Sequence, residues 1–246
     1  MVIGRTSVAQ VMGDVRIPGV WEHVGELRRK LPEGYRLTSR WLDMPDGSRV
    51  EYFAKPPDGE FVPTFGRSCR ELPTCEERQR IEDYTVNFCL SMPVGNREAA
   101  VRLMTAVSAI LRAGGAGVFV DNSGVSHGAS AWLALSHIEN RETGPTRAFT
   151  SKVRSKGDIF SVGMHVLGCR DVVLTASNRD SESESEKRDV ERMLCYLARE
   201  DATDDKVGVP DDSDLQKFRF VDDNRQLAPS HSTLYNPNRR WRLIPR

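Results

Sequence analysis

The sequence predicts an α+β protein in which helices pack on a mixed, largely antiparallel sheet, giving a two-layer sandwich with ferredoxin-like elements. The chain has 246 residues, which is enough for a domain with a buried core. Residues 84–92 alternate apolar and polar types as a strand does, and residues 97–113 repeat apolar types at helical spacing. Further segments of both kinds follow, so we expect a sheet of roughly four to six strands.

Residues 1–70 are predicted to form an N-terminal extension that contains a helix and a β-hairpin. The helix is predicted from Val24, Leu27 and Leu31, which recur at three- and four-residue steps along one face. Pro32 follows this run and cannot continue it, so the helix is expected to end there.

The hairpin is predicted from a turn signal between two strand-like segments. Pro45 fixes its own φ and Gly47 accepts a positive φ, as a tight turn requires. Residues 35–43 and 49–53 lie on either side of this turn. We therefore expect the two segments to pair as antiparallel strands.

Residues 71–200 are predicted to form the core domain, and its first helices are marked by capping residues. Thr74 and Glu77 have the spacing of a capping box, which predicts a short helix ahead of the first core strand. Asn96 predicts the start of the longest helix, and Gly114 predicts its end.

Alternating strand and helix signals continue through the rest of the core domain. Residues 117–120 predict a short apolar strand and residues 129–140 a helix. After the strand at 84–92 and the helix at 96–113, this order of strand, helix, strand and helix implies a right-handed crossover. Two more strands, or a strand and a short helix, are expected at 158–167 and 171–176, and a third main helix at 183–199.

Residues 201–246 are predicted to contain an acidic linker and then a basic C-terminal segment that packs on the core. Arg239, Arg240 and Arg242 surround Trp241 near the end of the chain. Arginines can hold phosphates while an aromatic ring stacks on a base, so phosphate or RNA binding by these arginines is one alternative function. Packing of the tryptophan against the core is favoured.

The composition argues against nucleic acid, membrane and metal as partners. Lys plus Arg and Asp plus Glu are balanced at 35 each, so no overall field attracts a phosphate backbone or an anionic lipid surface. No stretch approaches the roughly 18 apolar residues of a membrane span, and the N-terminus lacks the apolar run of a signal peptide. The five cysteines are scattered. We expect a cytoplasmic protein with reduced thiols and without metal or cofactor.

Residues 124–128 fit the Gly-x-Ser-x-Gly pattern of a nucleophile elbow. Ser126, Asp211 and His231 would also follow the chain order of an α/β-hydrolase triad. In an elbow, however, the strand runs directly into the first glycine, whereas residues 121–123 intervene here. A serine hydrolase is therefore kept as an alternative, and the main interpretation assigns no catalytic residue.

The loop that follows the strand at 117–120 is the predicted ligand-binding site. In crossover units, ligands bind at loops that follow the carboxyl ends of strands and face helix N-termini. The polar side chains of this loop, together with an aromatic residue one helical turn further on, supply the candidate contacts. The predicted ligand-binding residues are Asp121, Asn122, Ser123, His127 and Trp132.

Three strings of mainly glycine and apolar residues mark turns and strand starts in the core domain. They are Thr-Cys-Glu-Glu at 74–77 leading into Tyr-Thr-Val at 84–86, Gly-Gly-Ala-Gly-Val-Phe at 114–119, and Phe-Ser-Val-Gly-Met at 160–164 leading into Leu-Gly-Cys-Arg-Asp-Val-Val-Leu at 167–174. Over residues 74–199, these strings resemble a bacterial family of domains of unknown function, the one numbered forty-two sixty-one. The resemblance implies no catalytic residue. Asp83 stands where that family often has a histidine, so no site is implied there.

Taken together, these features predict a cytosolic interaction or small-ligand-binding module without catalytic activity. The recognisable motifs are structural, and no acid–base, nucleophile or metal group is complete in the sequence. The partner is expected to be an unidentified protein or small molecule, and nucleic acid is not expected.

Overall fold

A computed structural model shows an α+β fold, which confirms the predicted class. The described residues form seven α-helices and two mostly antiparallel sheets, one of seven strands and one of five. The strands are thus divided between two sheets, where the sequence predicts one. The structure describes residues 10–137, 143–155, 157–175, 184–200, 215–225, 229, 232 and 234–246.

The first sheet is antiparallel throughout, with the strand order β2-β3-β4-β5-β1-β6-β7. The predicted hairpin is confirmed, because β3 pairs with β4 across the predicted turn. The strands of this sheet are β1 (Met12–Gly19), β2 (Arg36–Leu37), β3 (Trp41–Asp43), β4 (Arg49–Lys55), β5 (Val86–Pro93), β6 (Gly117–Val120) and β7 (Val125–Gly128).

Strand β1 lies inside this sheet, between β5 and β6. Its inward-facing residues Val15 and Ile17 are buried, and it pairs with β5 along its whole length. Strands from the N-terminal part of the chain therefore share one hydrophobic core with strands of the predicted core domain.

The second sheet has the order β11-β12-β10-β9-β8, and its only parallel pair among the described residues is β10 with β12. A 3-10 helix at Met164–Leu167 connects β9 to β10. The strands are β8 (Ser151–Ser155), β9 (Asp158–Val162), β10 (Asp171–Thr175), β11 (Phe218–Asp223) and β12 (Arg240–Pro245).

Helices cover both sheets and fill the space between them. Asn96 caps α4 as predicted, accepting a hydrogen bond from the Ala99 amide at 2.8 Å. Helix α4 packs on β1 and β5, helix α7 packs on β9 and β10, and α5 and α6 lie between α4 and α7. The helices are α1 (Val24–Lys30), α2 (Phe61–Ser68), α3 (Cys75–Glu82), α4 (Arg97–Arg112), α5 (Ala129–Ser136), α6 (Thr143–Phe149) and α7 (Glu184–Arg199).

Strands β5 and β6 are both antiparallel to β1 and hence parallel to each other, and α4 connects them, which is the order of elements in the predicted crossover. The loop predicted at 121–128 is shorter than expected. Strands β6 and β7 form an antiparallel hairpin, in which Gly117 is paired with Gly128 and Val120 with Val125. Residues 125–128, predicted as a loop, therefore form an edge strand that runs straight into α5. The carboxyl end of β6 leads into a tight turn and not into a loop facing a helix N-terminus.

Candidate functional site

A cleft with a volume of about 500 Å³ opens where α5, α6, β8 and α7 meet. One wall is apolar and consists of one face of α5, while the remaining walls carry charged side chains. We name it the basic cleft, since three of its charged side chains are cationic and two are acidic. Its lining residues are Arg70, Glu71, His127, Ala131, Ala134, Leu135, Arg147, Lys152 and Glu191.

The carboxylate of Glu77 fixes the position of α5 and hence of the apolar wall. It accepts a hydrogen bond from the Thr74 amide at 2.8 Å, which completes the predicted capping box of α3, and one from the Ser130 amide at 2.6 Å. A carboxylate at a helix N-terminus complements the helix dipole. The N-terminus of α5 is therefore occupied by Glu77, whereas the predicted ligand site requires it to be open.

Arg70 closes the C-terminal end of α6 and brings a cation to the cleft. Its guanidinium donates to the carbonyl oxygens of Arg147 at 3.0 Å and Thr150 at 2.8 Å. Burial lowers the pKa of Arg70, with Glu191 opposing the shift and Arg147 adding to it. The ordinary pKa of arginine is high enough that the group stays charged. Arg70 is thus a cation whose direction is set by backbone acceptors.

Glu191 holds the other two cations together. Its Oε1 lies 2.7 Å from Nε of Arg147, and its Oε2 lies 3.0 Å from Nζ of Lys152. Burial alone would raise the pKa of Glu191, but the hydrogen bond and charge of Lys152, together with Arg147, lower it below its ordinary value. The carboxylate is therefore ionised, and from α7 it orders two side chains, one on α6 and one on β8.

His127 is the most deeply buried polar side chain of the cleft, with 2% of its surface exposed. Its Nε2 lies 3.0 Å from the carbonyl oxygen of Ala148, which can only accept, so Nε2 carries a proton. Burial, and then the charge of Arg70, lowers the pKa of His127 to about 4. At neutral pH the ring is therefore uncharged, and its Nδ1 is a hydrogen-bond acceptor.

Because its pKa is low, His127 should make the free energy of unfolding depend on pH. A pKa of about 4 in the folded state, below the ordinary 6.5, means that this histidine favours folding most above pH 6.5, and that the benefit disappears as the pH falls toward 4. The shift corresponds to about 3 kcal/mol over that window. In urea unfolding experiments between about pH 7 and pH 4.5, we expect wild type to lose more stability than His127→Gln.

Asp171 is a second buried group that titrates in this pH range. Burial raises its pKa to about 6 although Asn236 and Ser161 donate hydrogen bonds to it, so its contribution grows as the pH falls through this value. That contribution has the opposite sign and is shared by both proteins, so it cancels in the difference. Parallel stability curves for the two proteins would contradict the assignment of His127 as a buried neutral ring.

The structure does not bring the five predicted ligand-binding residues together. Asp121 forms an ion pair with Arg16, and burial raises the pKa of its carboxyl although Arg16 opposes the shift. Asn122 is buried, accepts a hydrogen bond from the Asp14 amide at 2.8 Å and donates to the Met12 carbonyl at 2.9 Å. These side chains hold the β6–β7 turn against β1.

The other predicted residues also have different surroundings. Ser123 is buried, and its carbonyl accepts a hydrogen bond from the Ser151 hydroxyl at 2.7 Å. Trp132 is fully buried behind His127, with 5.6 Å between the ring centroids. Of the five residues, His127 alone lines the basic cleft.

The geometry does not favour the hydrolase alternative. Ser126 lies within strand β7, paired with Phe119, and not on a turn between a strand and a helix. It is completely buried, and its hydroxyl donates to the carbonyl of Phe65 at 2.6 Å. Asp211 and His231, the proposed acid and base, lie outside the described residues.

The C-terminal arginines are held by aspartates of the second sheet. Trp241, between them, is buried, and the guanidinium carbon of Arg170 lies 4.1 Å from its ring centroid. The predicted acidic linker at 201–214 lies outside the described residues. The ion pairs are Arg239 with Asp222 at 3.7 Å, Arg240 with Asp223 at 3.9 Å, and Arg242 with Asp158 and Asp223 at 3.1 Å each.

Sequence reasoning missed all five charged residues of the basic cleft, Glu71 included. Arg70 and Glu191 stand in different parts of the chain, and Arg147 and Lys152 flank the end of a short helix. None of them belongs to a motif, so no local signal identifies them. Their grouping depends on how α6, α7 and β8 pack.

Over the part of the chain that the structure describes, no group of three or more His, Cys, Asp or Glu side chains is placed to hold a metal ion. Within the same residues, no helix is both long enough and apolar enough to cross a membrane.

Comparison with family models, curated proteins and solved structures yields no match to this chain. The resemblance of residues 74–199 to the domain family of unknown function therefore stays a prediction.

Proposed function

We propose that this protein is a non-catalytic small-ligand-binding module, and that the basic cleft binds an anionic group of its ligand. The observation that supports the proposal most directly is the convergence of Arg70, Arg147 and Lys152 on one cavity with an apolar wall. Ligand sites commonly combine an apolar surface with a few fixed polar groups in this way.

The cations of the cleft are ordered by groups of the protein itself. Arg70 is directed by two carbonyl oxygens, and Arg147 and Lys152 by the carboxylate of Glu191. Ordering side chains ahead of binding reduces the entropy that a ligand must overcome. With Glu71 and Glu191 included, the lining still has one positive charge in excess, which favours an anion.

The titration behaviour of the cleft supports binding over catalysis. A general base works best when its pKa lies near the operating pH. His127, with a pKa of about 4, is a weak base at neutral pH.

The five cysteines are all free, which agrees with the cytoplasmic location that we propose.

Calorimetric titration with phenylphosphonate, an anion with an apolar ring, tests this function. Uncharged benzamide provides the matched ligand control, because it offers a similar ring without the anion. We expect phenylphosphonate to bind, and Lys152→Met to weaken it about tenfold, since one cation of the cleft is removed.

Lys55→Met is the matched protein control. Lys55 is an exposed lysine on β4 that does not line the cleft, so this variant changes the net charge equally. It should bind phenylphosphonate as wild type does. Equal weakening by both variants, or binding of benzamide as tight as that of phenylphosphonate, would contradict the proposal.

A further inference from the structure

The basic cleft places a hydrogen-bond acceptor among its cations. Exposed fractions of the side chains rise from Lys152 at 20% to Glu191 at 30% and Arg147 at 46%, while His127 as a whole is 2% exposed. The histidine therefore lies at the inner end. Among the described residues, its Nδ1 has no hydrogen-bond partner, since its one polar contact is that of Nε2 with Ala148.

We infer that the cleft selects oxyanions that retain an acidic proton, with the ligand's O–H donating to Nδ1 of His127 while Arg70 and Lys152 hold its charge. This inference rests on the proposed function and names its ligand class. Hydrogen phosphate and singly protonated phosphonates or phosphate esters have this chemistry. Sulfate does not, because it carries no proton at neutral pH.

The two contacts of the imidazole ring give the reason for this selection. Its Nε2 proton is committed to the Ala148 carbonyl, so the neutral ring presents a lone pair at Nδ1. An oxygen without a proton would meet that lone pair with its own, which is repulsive, whereas an O–H forms a hydrogen bond. A buried polar group that finds no partner costs more free energy than an exposed one.

Arg70 keeps this acceptor in its neutral form. Its positive charge adds to burial in disfavouring a proton on His127. The same guanidinium would attract the anion. Arg70 would therefore bind the ligand's charge and also keep Nδ1 of His127 able to accept a hydrogen bond from the ligand's O–H. A charged histidine would donate from both nitrogens and would bind sulfate as readily as phosphate.

Calorimetry with inorganic anions tests this inference on the unmodified protein. Near about pH 8, hydrogen phosphate and sulfate are tetrahedral dianions of similar size, and only phosphate keeps an O–H. We expect phosphate to bind at least about tenfold more tightly than sulfate at equal ionic strength. Arsenate, which also keeps an O–H, should behave as phosphate does.

Two further measurements separate recognition of the proton from general anion binding. On addition of phosphate, the ¹⁵N resonance of His127 Nδ1 should move upfield, as an acceptor nitrogen does on forming a hydrogen bond. In His127→Phe, once circular dichroism shows a wild-type fold, the phosphate-to-sulfate ratio should fall to about one.

Equal affinities for phosphate and sulfate in wild type would overturn the inference, as would binding of neither anion. If phosphate and sulfate bind equally and Lys152→Met weakens both, the cleft still binds anions, and only the inferred selection for a protonated oxyanion is wrong. If neither inorganic anion binds and phenylphosphonate also fails, the proposed function fails with it.

Discussion

Replacing Gly163 with alanine should lower the free energy of unfolding by at least about 3 kcal/mol. This glycine, between β9 and the 3-10 helix, has φ of +108°. A Cβ atom there would lie 2.2 Å from the carbonyl oxygen of Phe149 and 2.8 Å from Cβ of Ser123. Neither neighbour is the flexible end of a long side chain, so the overlap can be relieved only by moving the end of α6 or the β6–β7 turn.

Gly124→Ala is the matched control for this steric effect. Gly124 also has a positive φ, +64°, but a Cβ atom there would meet nothing within 4 Å. The variant should lose about 1 kcal/mol of unfolding free energy, because alanine at a positive φ is strained even where its Cβ atom meets nothing. Urea unfolding followed by circular dichroism measures both variants. Similar losses for the two would show that the close approach at Gly163 is not what requires glycine there.

Trp132→Ala should destabilise the fold by about 3–5 kcal/mol. The side chain is fully buried, and its ring contacts those of His127 and Phe149 at centroid distances of 5.6 and 5.5 Å. Its indole nitrogen donates to the Met104 carbonyl at 3.4 Å. Truncation would leave a cavity directly behind the basic cleft, so both stability and ligand affinity should fall.

Trp41→Ala provides the comparison for loss of a tryptophan. Trp41 is half-buried on β3, and the guanidinium carbon of Arg40 lies 5.4 Å from its ring centroid. We expect a loss of about 1 kcal/mol, measured by the same unfolding experiment. A larger loss for Trp41 than for Trp132 would contradict the central position assigned to Trp132.

Elements with local chemical signals could be predicted from the sequence. Asn96 caps α4, and Thr74 with Glu77 forms the capping box of α3, as their spacing indicates. These features depend on residues within one helical turn of each other. The same is true of the hairpin turn at Gly47, whose φ is +80°.

Elements that depend on distant partners could not be predicted. Strand β1 alternates Val15 and Ile17, but Gly13 and Pro18 disfavour a central strand and mask the pattern. Its position is set by pairing with β5 about 70 residues later. Strand β7 has four residues, too few for periodicity to separate a strand from a loop.

The residues of the basic cleft could not be predicted from the sequence for the same reason. The sequence predicts His127 in a ligand-binding loop, whereas the structure places it in β7, with its Nε2 at the Ala148 carbonyl of α6. Its charged neighbours meet across long separations, 77 residues for Arg70 and Arg147 and 39 for Lys152 and Glu191. Side chains that meet only through tertiary packing leave no spacing pattern in the sequence.

Mapping amide chemical shifts during titration with phenylphosphonate tests the central claim most directly. If the ligand binds in the basic cleft, the changes will concentrate on the wall formed by α5, on Arg70 and on the segment from Arg147 to Lys152. Changes centred on the C-terminal arginines Arg239 and Arg242, or spread evenly over the surface, would contradict it.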